Sequence, residues 1–337
     1  MVTLAEVAQH AGVSASTVSY VLSGKRSISA TTRLRVEQSI RELGYHPNAG
    51  ARALAGKRSH IIALMVPLRT DMYGPVMMEI AIAVATTARN HGYDVLLLTG
   101  EEGPDAVRRV TGSSLADAMI LMDVELEDER LPLLRGTDQP SVLIGLPADT
   151  TGLTCVDLDW SATGALCVAH LAGLGHRDIA VIGEAPAVYK RHTGFAERTL
   201  DGLRARARET GVRVLHRPCD GGYDAMAVTL ARILDERPAT TGFVVQNESA
   251  VEPLLALLRQ QDRAVPEDVS VVAICPDQVA VQASVRLTSV AIPAQEMGRY
   301  AVEHLVAKLD GRGGDEVVLI APELTVRASS GPAPAAS

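Results

Sequence analysis

The chain reads as a mixed α/β protein: a small all-α head ahead of a two-lobed body of parallel sheets flanked by helices. Three observations carry this. Within residues 1–60 the apolar positions recur at helical spacing, with capping residues before each run and glycine after it. Beyond residue 60, short apolar runs alternate with amphipathic stretches, the pattern of parallel sheets with covering helices. That alternation then repeats, so the 337 residues divide into more than one core.

The head begins with Thr3 and Glu6 in capping-box spacing, which starts a helix at Leu4 with Val7, Ala8 and Ala11 on its apolar face. Gly12 stops it. Ser14 then caps a second short helix, with Val18, Val21 and Leu22 expected inward and Ala15, Ser16, Thr17 and Tyr20 outward. Helix, glycine-containing turn and helix form a helix-turn-helix, whose second element presents its first residues to the major groove. A third helix follows Ser29, with Val36, Ile40 and Leu43 inward, and ends at Gly44; Arg33, Arg35 and Arg41 are placed to meet phosphates. Residues 45–56 read as a linker or as a short Ala-rich helix capped by Asn48. Such a helix is too short to be stable alone, and its single large apolar residue, Leu54, has no core to join.

In the body, strands are expected at 61–66, 95–98, 118–122, 141–144, 179–182, 212–215, 242–245 and 269–274. Helices are expected at 76–91, 161–174, 193–210, 223–234 and 249–260. The strand at Ile61, its helix and the strand at Val95 are echoed by Ile179, its helix and Val212, which implies two similar lobes around a cleft.

Charge sharpens the division. The whole chain is acidic, with 32 basic against 40 acidic residues and a net charge of −8. Residues 1–60 nevertheless hold eight basic against three acidic residues, +5, which leaves 24 against 37, or −13, for the rest. A basic head on an acidic body is the asymmetry of a nucleic-acid-binding module joined to something else. No apolar run reaches the roughly 18 residues of a membrane span, and no secretory signal is read at the start, so a cytoplasmic protein is expected. The four scattered cysteines are expected to be ordinary buried thiols.

The run TLAEVAQHAGVSASTVSYVLSG (residues 3–24), with Ile28, Ser29, Thr32, Arg33, Gly44, Pro47, Asn48, Ala51, Arg52 and Leu54 after it, resembles the DNA-binding head of the lac repressor/gal repressor family. HLAGLGHRDIA (170–180), Arg191 with Gly194 and Phe195, VPEDVS (265–270), LTSV (287–290) and PELTVR (322–327) extend the resemblance over nearly the whole chain. It implies a periplasmic-binding-protein-like body and a homodimer on a pseudo-palindromic operator in double-stranded DNA. The expected DNA contacts are Thr3, Ser14, Ala15, Ser16, Thr17, Tyr20, Arg33, Asn48, Ala51, Arg52 and Leu54, with Ala15, Ser16 and Tyr20 at base-reading positions. Leu54 falls at the position of the leucine intercalated in the minor groove. For the cleft the resemblance implies Met72, Tyr73, Asp159, Arg191, Tyr223 and Asn247 as effector contacts, with Asp277 the candidate for the acidic one, and a sugar as the default effector. Two departures bear on effector identity: Tyr73-Gly74-Pro75-Val76 lacks an aromatic pair, and Ala273-Ile274-Cys275-Pro276 replaces Gly-Phe-Asp-Asp.

The expected domains are therefore a head at 1–46, a hinge at 47–58, an effector-binding and dimerising body at 59–327 and a disordered tail at 328–337. An enzyme is not expected: there is no G-x-x-x-x-G-K-[ST], no G-x-S-x-G and no H-E-x-x-H. Nor is a cofactor or metal expected, and the acidic run 125–129 reads as a solvated loop. The expectation is a transcription regulator, a repressor, whose operator affinity responds to a small molecule. A sugar-binding protein of the transport type is the alternative, sharing the body but not the head.

Overall fold

The computed structural model describes residues 2–23, 26, 28–45, 58–69, 74–100, 103–113 and 115–335. The expectations for Asn48, Ala51, Arg52, Leu54, Met72 and Tyr73 lie outside the described residues.

The head is three helices, α1 (Leu4–His10), α2 (Ala15–Ser23) and α3 (Ala30–Leu43). Each starts where its cap places it. Thr3 and Glu6 form a complete capping box, the Ser14 hydroxyl accepts from the Thr17 N–H, and the Ser29 hydroxyl accepts from the Thr32 N–H. Val7, Ala8, Ala11, Val18 and Val36 are buried together, and Tyr45, at the edge of the hinge segment, closes the same core. Leu22 departs from expectation. It is 40 % exposed and takes no part in this core, because Val18 and Val21 already fill the inner face of α2.

The first lobe runs β1 (Ile61–Met65), α4 (Gly74–Asn90), β2 (Asp94–Leu98), α5 (Pro104–Ser113), β3 (Ala118–Leu121), α6 (Leu131–Arg135), β4 (Ser141–Ile144) and β5 (Cys155–Leu158). The second begins with α7 (Trp160–Gly173), β6 (Asp178–Gly183), α8 (Pro186–Lys190), α9 (Gly194–Thr210), β7 (Arg213–Pro218) and α10 (Gly222–Glu236). It continues with β8 (Gly242–Val245), a 3₁₀ turn (Glu248–Ala250), α11 (Val251–Gln260), β9 (Ser270–Ile274), α12 (Asp277–Gln282) and β10 (Thr288–Val290). The chain then returns to the first lobe as α13 (Ala294–Leu309) and β11 (Val317–Ile320), and ends in the second with β12 (Leu324–Thr325).

The two sheets have the same order. One is β2-β1-β3-β4-β5-β11 and the other β7-β6-β8-β9-β10-β12, parallel throughout except where β12 joins β10 antiparallel. The inner strands β3, β4, β8 and β9 are buried along their whole length, as strands covered by helices on both faces must be, whereas the edges β2 and β11 are partly exposed. Three chain segments join the lobes: after β5, between β10 and α13, and between β11 and β12. Helices α7 and α9 pack so closely that a β-carbon on Gly202 would collide with the Ser161 carbonyl oxygen.

The expected tail is a correction. Residues 328–333 are docked on the second lobe through main-chain and hydroxyl bonds. Ser329 is fully buried and its hydroxyl accepts from the Thr288 N–H at 2.8 Å, the Gly331 N–H donates to Ser270 Oγ at 3.0 Å, and the Ala333 N–H donates to the Leu174 carbonyl at 2.8 Å. Small residues leave the backbone free to make such bonds, and composition alone does not reveal them. All four cysteines are buried and unbridged.

The candidate ligand cleft and DNA-reading head

In both sheets strand order reverses beside the first strand, and at such a switch point ligands sit beyond the carboxyl ends of the strands. Here those ends face each other across a cavity of about 110 Å³. Met122, Asp123 and Val124 follow β3, Ile144 and Gly145 end β4, and Asp157 lies in β5. From the other lobe come Glu184 after β6, Gln246 and Glu248 after β8, and Ile274 at the end of β9. Val76, Met77 and Ile80 of α4, Ile292 and Met297, and the rings of Trp160 and Phe195 complete an apolar wall. The two rings lie 5.3 Å apart, tilted against each other.

The polar groups in this wall are unusual. Asp157 is 2 % exposed; its Oδ1 accepts from the Leu158 N–H at 2.9 Å and the Trp160 Nε1–H at 2.7 Å, and its Oδ2 is buried with no partner. Burial pushes its pKa up to about 7, against the lowering effect of those two donors. Gln246 is likewise buried. It accepts from the Tyr189 hydroxyl through Oε1, while its Nε2 lacks a partner. Burial also raises the Glu248 carboxyl. Asp123 pairs with Arg69.

The expected effector contacts are placed differently. Asp159 caps α7, accepting from the Ala162 N–H at 2.9 Å, while its neighbour Asp157 lines the cavity. Asn247 is buried in a structural role: its Nδ2 donates to the Cys219 carbonyl at 2.7 Å and its Oδ1 accepts from the Ser249 N–H. The residues on either side of it, Gln246 and Glu248, line the cavity instead. Tyr223 is exposed and donates to Gln260 Oε1 at 2.7 Å. Asp277 pairs with Arg327 and lines a second groove rather than the cavity. Arg191 stands at the rim, its Nε 3.9 Å from Glu125 Oε1 across the lobes, and is not among the cavity-lining residues. A carboxylate inside an apolar strand, Cys155-Val156-Asp157-Leu158, was the available signal for Asp157.

Beside Arg191 the lobes are clasped by main chain. The Leu126 N–H donates to the His192 carbonyl and the Gly194 N–H to the Val124 carbonyl, each at 2.9 Å, and Arg198 donates to the Pro147 carbonyl at 2.8 Å. Gly194 is required there, since a β-carbon would meet the Leu146 carbonyl oxygen at 2.6 Å. The acidic run behind this clasp is not simply solvated: Asp128 is buried and held in two bonds by Arg130, at 2.8 and 2.6 Å.

On the head, Ala15 and Ser16 at the start of α2 are exposed, and so is Arg33 on α3. The Ser14 hydroxyl ties Ser16 and Thr17 together at 2.8 Å each, and the Arg26 guanidinium lies 5.6 Å from the Tyr20 ring centre. Thr3 is committed to its capping box. A groove-sized helix start with small exposed side chains, flanked by arginines, has the form of a major-groove reader.

A trihelical head of this form, followed by a two-lobed body with a lined cleft, defines a DNA-binding transcription regulator. Residues 3–48 match the bacterial regulatory proteins of the lacI family and residues 168–330 match the periplasmic binding protein-like domain. The HTH-type transcriptional regulator CelR of Thermobifida fusca is 31% identical, over 94% of this chain and 95% of that one. The chain belongs to the lacI family of bacterial regulatory proteins. Among solved structures, a transcriptional regulator CelR–cellobiose complex (28% identical, TM-score 0.69) covers 98% of this chain and 100% of the other. A lac repressor dimer bound to operator and the anti-inducer ONPF (24% identical, TM-score 0.84) covers 98% and 99%. The fold of the second supports the lobe arrangement described above. A transport-type binding protein is not favoured, since the matched head has no part in that role. Among the described residues no helix is long and apolar enough to cross a membrane.

Proposed function

We propose that this chain is a cytoplasmic, homodimeric repressor that binds a pseudo-palindromic operator and is switched by a small molecule held between its lobes, without catalytic activity of its own. The observation that carries the reading is the joining of an α2 whose start is exposed and arginine-flanked to a lined cleft between two lobes in one chain. Ala15, Ser16 and Tyr20 read base edges, with Ser14 and Thr17 fixing the start of α2 and Thr3 that of α1; Arg33 meets phosphate. Asn48, Ala51, Arg52 and Leu54 form the hinge contact in the minor groove. Dimerisation uses the face of α4 where Met78 and Ile82 remain exposed. The CelR relative solved with cellobiose makes a sugar the starting expectation for the effector. An effector can shift operator affinity only by binding one lobe arrangement better than another.

The test is an anisotropy titration of full-length protein with DNA from upstream of its own gene, at two salt concentrations. Sequence-selective binding that weakens with salt is expected. Leu54→Ala is expected to lose roughly tenfold or more in operator affinity, about 1.4 kcal/mol, with ligand binding intact. Equal affinity for operator and scrambled DNA refutes the reading.

A further inference from the structure

We propose that the ligand of the cleft is an organic cation, a protonated amine that also carries an acceptor oxygen, rather than a neutral sugar. The inference rests on the reading of the cleft as the effector site and narrows it. Every ionisable side chain lining the cavity among the described residues is acidic: Asp123, Asp157, Glu184 and Glu248. Asp123 is matched by Arg69, and no lysine or arginine joins the lining.

Two residues of the lining each hold an unmet polar atom. Asp157 Oδ2 is a buried acceptor without a donor, and Gln246 Nε2 is a buried donor without an acceptor. A buried polar atom left alone is costly, so a built site of this kind calls for a ligand that meets both. Neither guanidinium beside the clasp lines the cavity: Arg191 pairs with Glu125 across the lobes and Arg198 bonds the Pro147 carbonyl. A metal ion does not fit, because among the described residues no group of three or more His, Cys, Asp or Glu is set to hold one. An ammonium does. It gives Asp157 a donor and a counter-charge from the first lobe, Glu248 faces it from the second, and the faces of Trp160 and Phe195 favour a cation over a hydroxyl. A hydroxyl or ring oxygen on the same molecule accepts from Gln246.

Two sources share this chemistry, an amino sugar and an aryl amine, and matched pairs separate them. Full-length protein is titrated calorimetrically with glucosamine against glucose and with tyramine against tyrosol, each pair differing by an amine in place of a hydroxyl. At least one amine is expected to bind tenfold or more tighter than its alcohol; glucosamine alone identifies an amino sugar, tyramine alone an aryl amine. Asp157→Asn, which keeps the shape and both accepted bonds, is expected to erase that preference, and Glu248→Gln on the facing lobe to reduce it. Alcohols binding as tightly as amines, neither amine binding, or the preference surviving in both variants overturns the proposal. Operator titrations with the same compounds keep the two readings apart. An amine that binds without changing operator affinity refutes the effector reading and leaves the cationic cleft standing. A neutral sugar that alone binds and alone changes operator affinity does the reverse.

Discussion

Asp157→Asn should make the protein more stable at neutral and alkaline pH. The carboxyl rises from an ordinary 3.8 to about 7 on folding because burial outweighs its two donors, and that rise is worth ~4 kcal/mol against the folded state once the pH exceeds 7. Asparagine still accepts from the Leu158 N–H and the Trp160 Nε1–H but leaves an amide donor buried, a cost of about 1–3 kcal/mol. The net gain is therefore on the order of 1–3 kcal/mol at pH 8. The sign follows from proton counting. Between about pH 4 and pH 7 the folded carboxyl holds a proton that the unfolded one has lost, so wild-type stability falls as pH rises through that window and is level above it. The gain of the variant should shrink by ~1.4 kcal/mol for each pH unit below 7. Urea unfolding followed through the single tryptophan, Trp160, reports on the same spot. A variant no more stable than wild type at pH 8, or one with the same advantage at pH 5.5, refutes the account of a charge held at a cost for binding.

Gly202→Ala should destabilise the second lobe by about 1–3 kcal/mol or more, since α7 and α9 must separate to admit a methyl group; an unchanged melting temperature would show that the helices give way freely. Ending the chain after Arg327 should lower the melting temperature of the body, because Thr288, Ser270 and Leu174 lose their partners in the docked segment; a superimposable melt would show that segment to be dispensable. Arg191→Ala should abolish the effector response while leaving operator binding in place, by removing the pair with Glu125 across the lobes; operator titrations with and without ligand decide, and a normal response excludes Arg191 from the switch.

The head was legible almost to the residue because each of its helices begins at a side-chain cap, a signal confined to a few consecutive residues. Strands β4 and β8 were readable for a similar reason, as apolar runs bounded by polar and turn residues. The segments that tie the lobes together were not. Strands β10 and β12 are three and two residues long, too short for any periodicity, and they exist because a neighbouring sheet edge accepts them. The cleft was legible in location but not in chemistry. Asp159 and Asn247 are polar residues at strand ends, as a ligand contact should be, yet a helix start takes the first and a loop takes the second. The residues that reach the cavity are their neighbours, and only the facing of two sheets, brought together over some ninety residues of chain, shows which side chain points inward.

The clasp between the lobes consists largely of main-chain atoms: the N–H groups of Leu126 and Gly194 and the carbonyls of Val124, His192 and Pro147. Substitution leaves such atoms in place. The walls of the cleft can therefore be rewritten, one carboxylate exchanged for another group, while the means of closing over a ligand is inherited intact. In this architecture what is sensed and how sensing is reported are largely separately mutable, with Gly194 and the Arg198 guanidinium the identities the clasp still depends on.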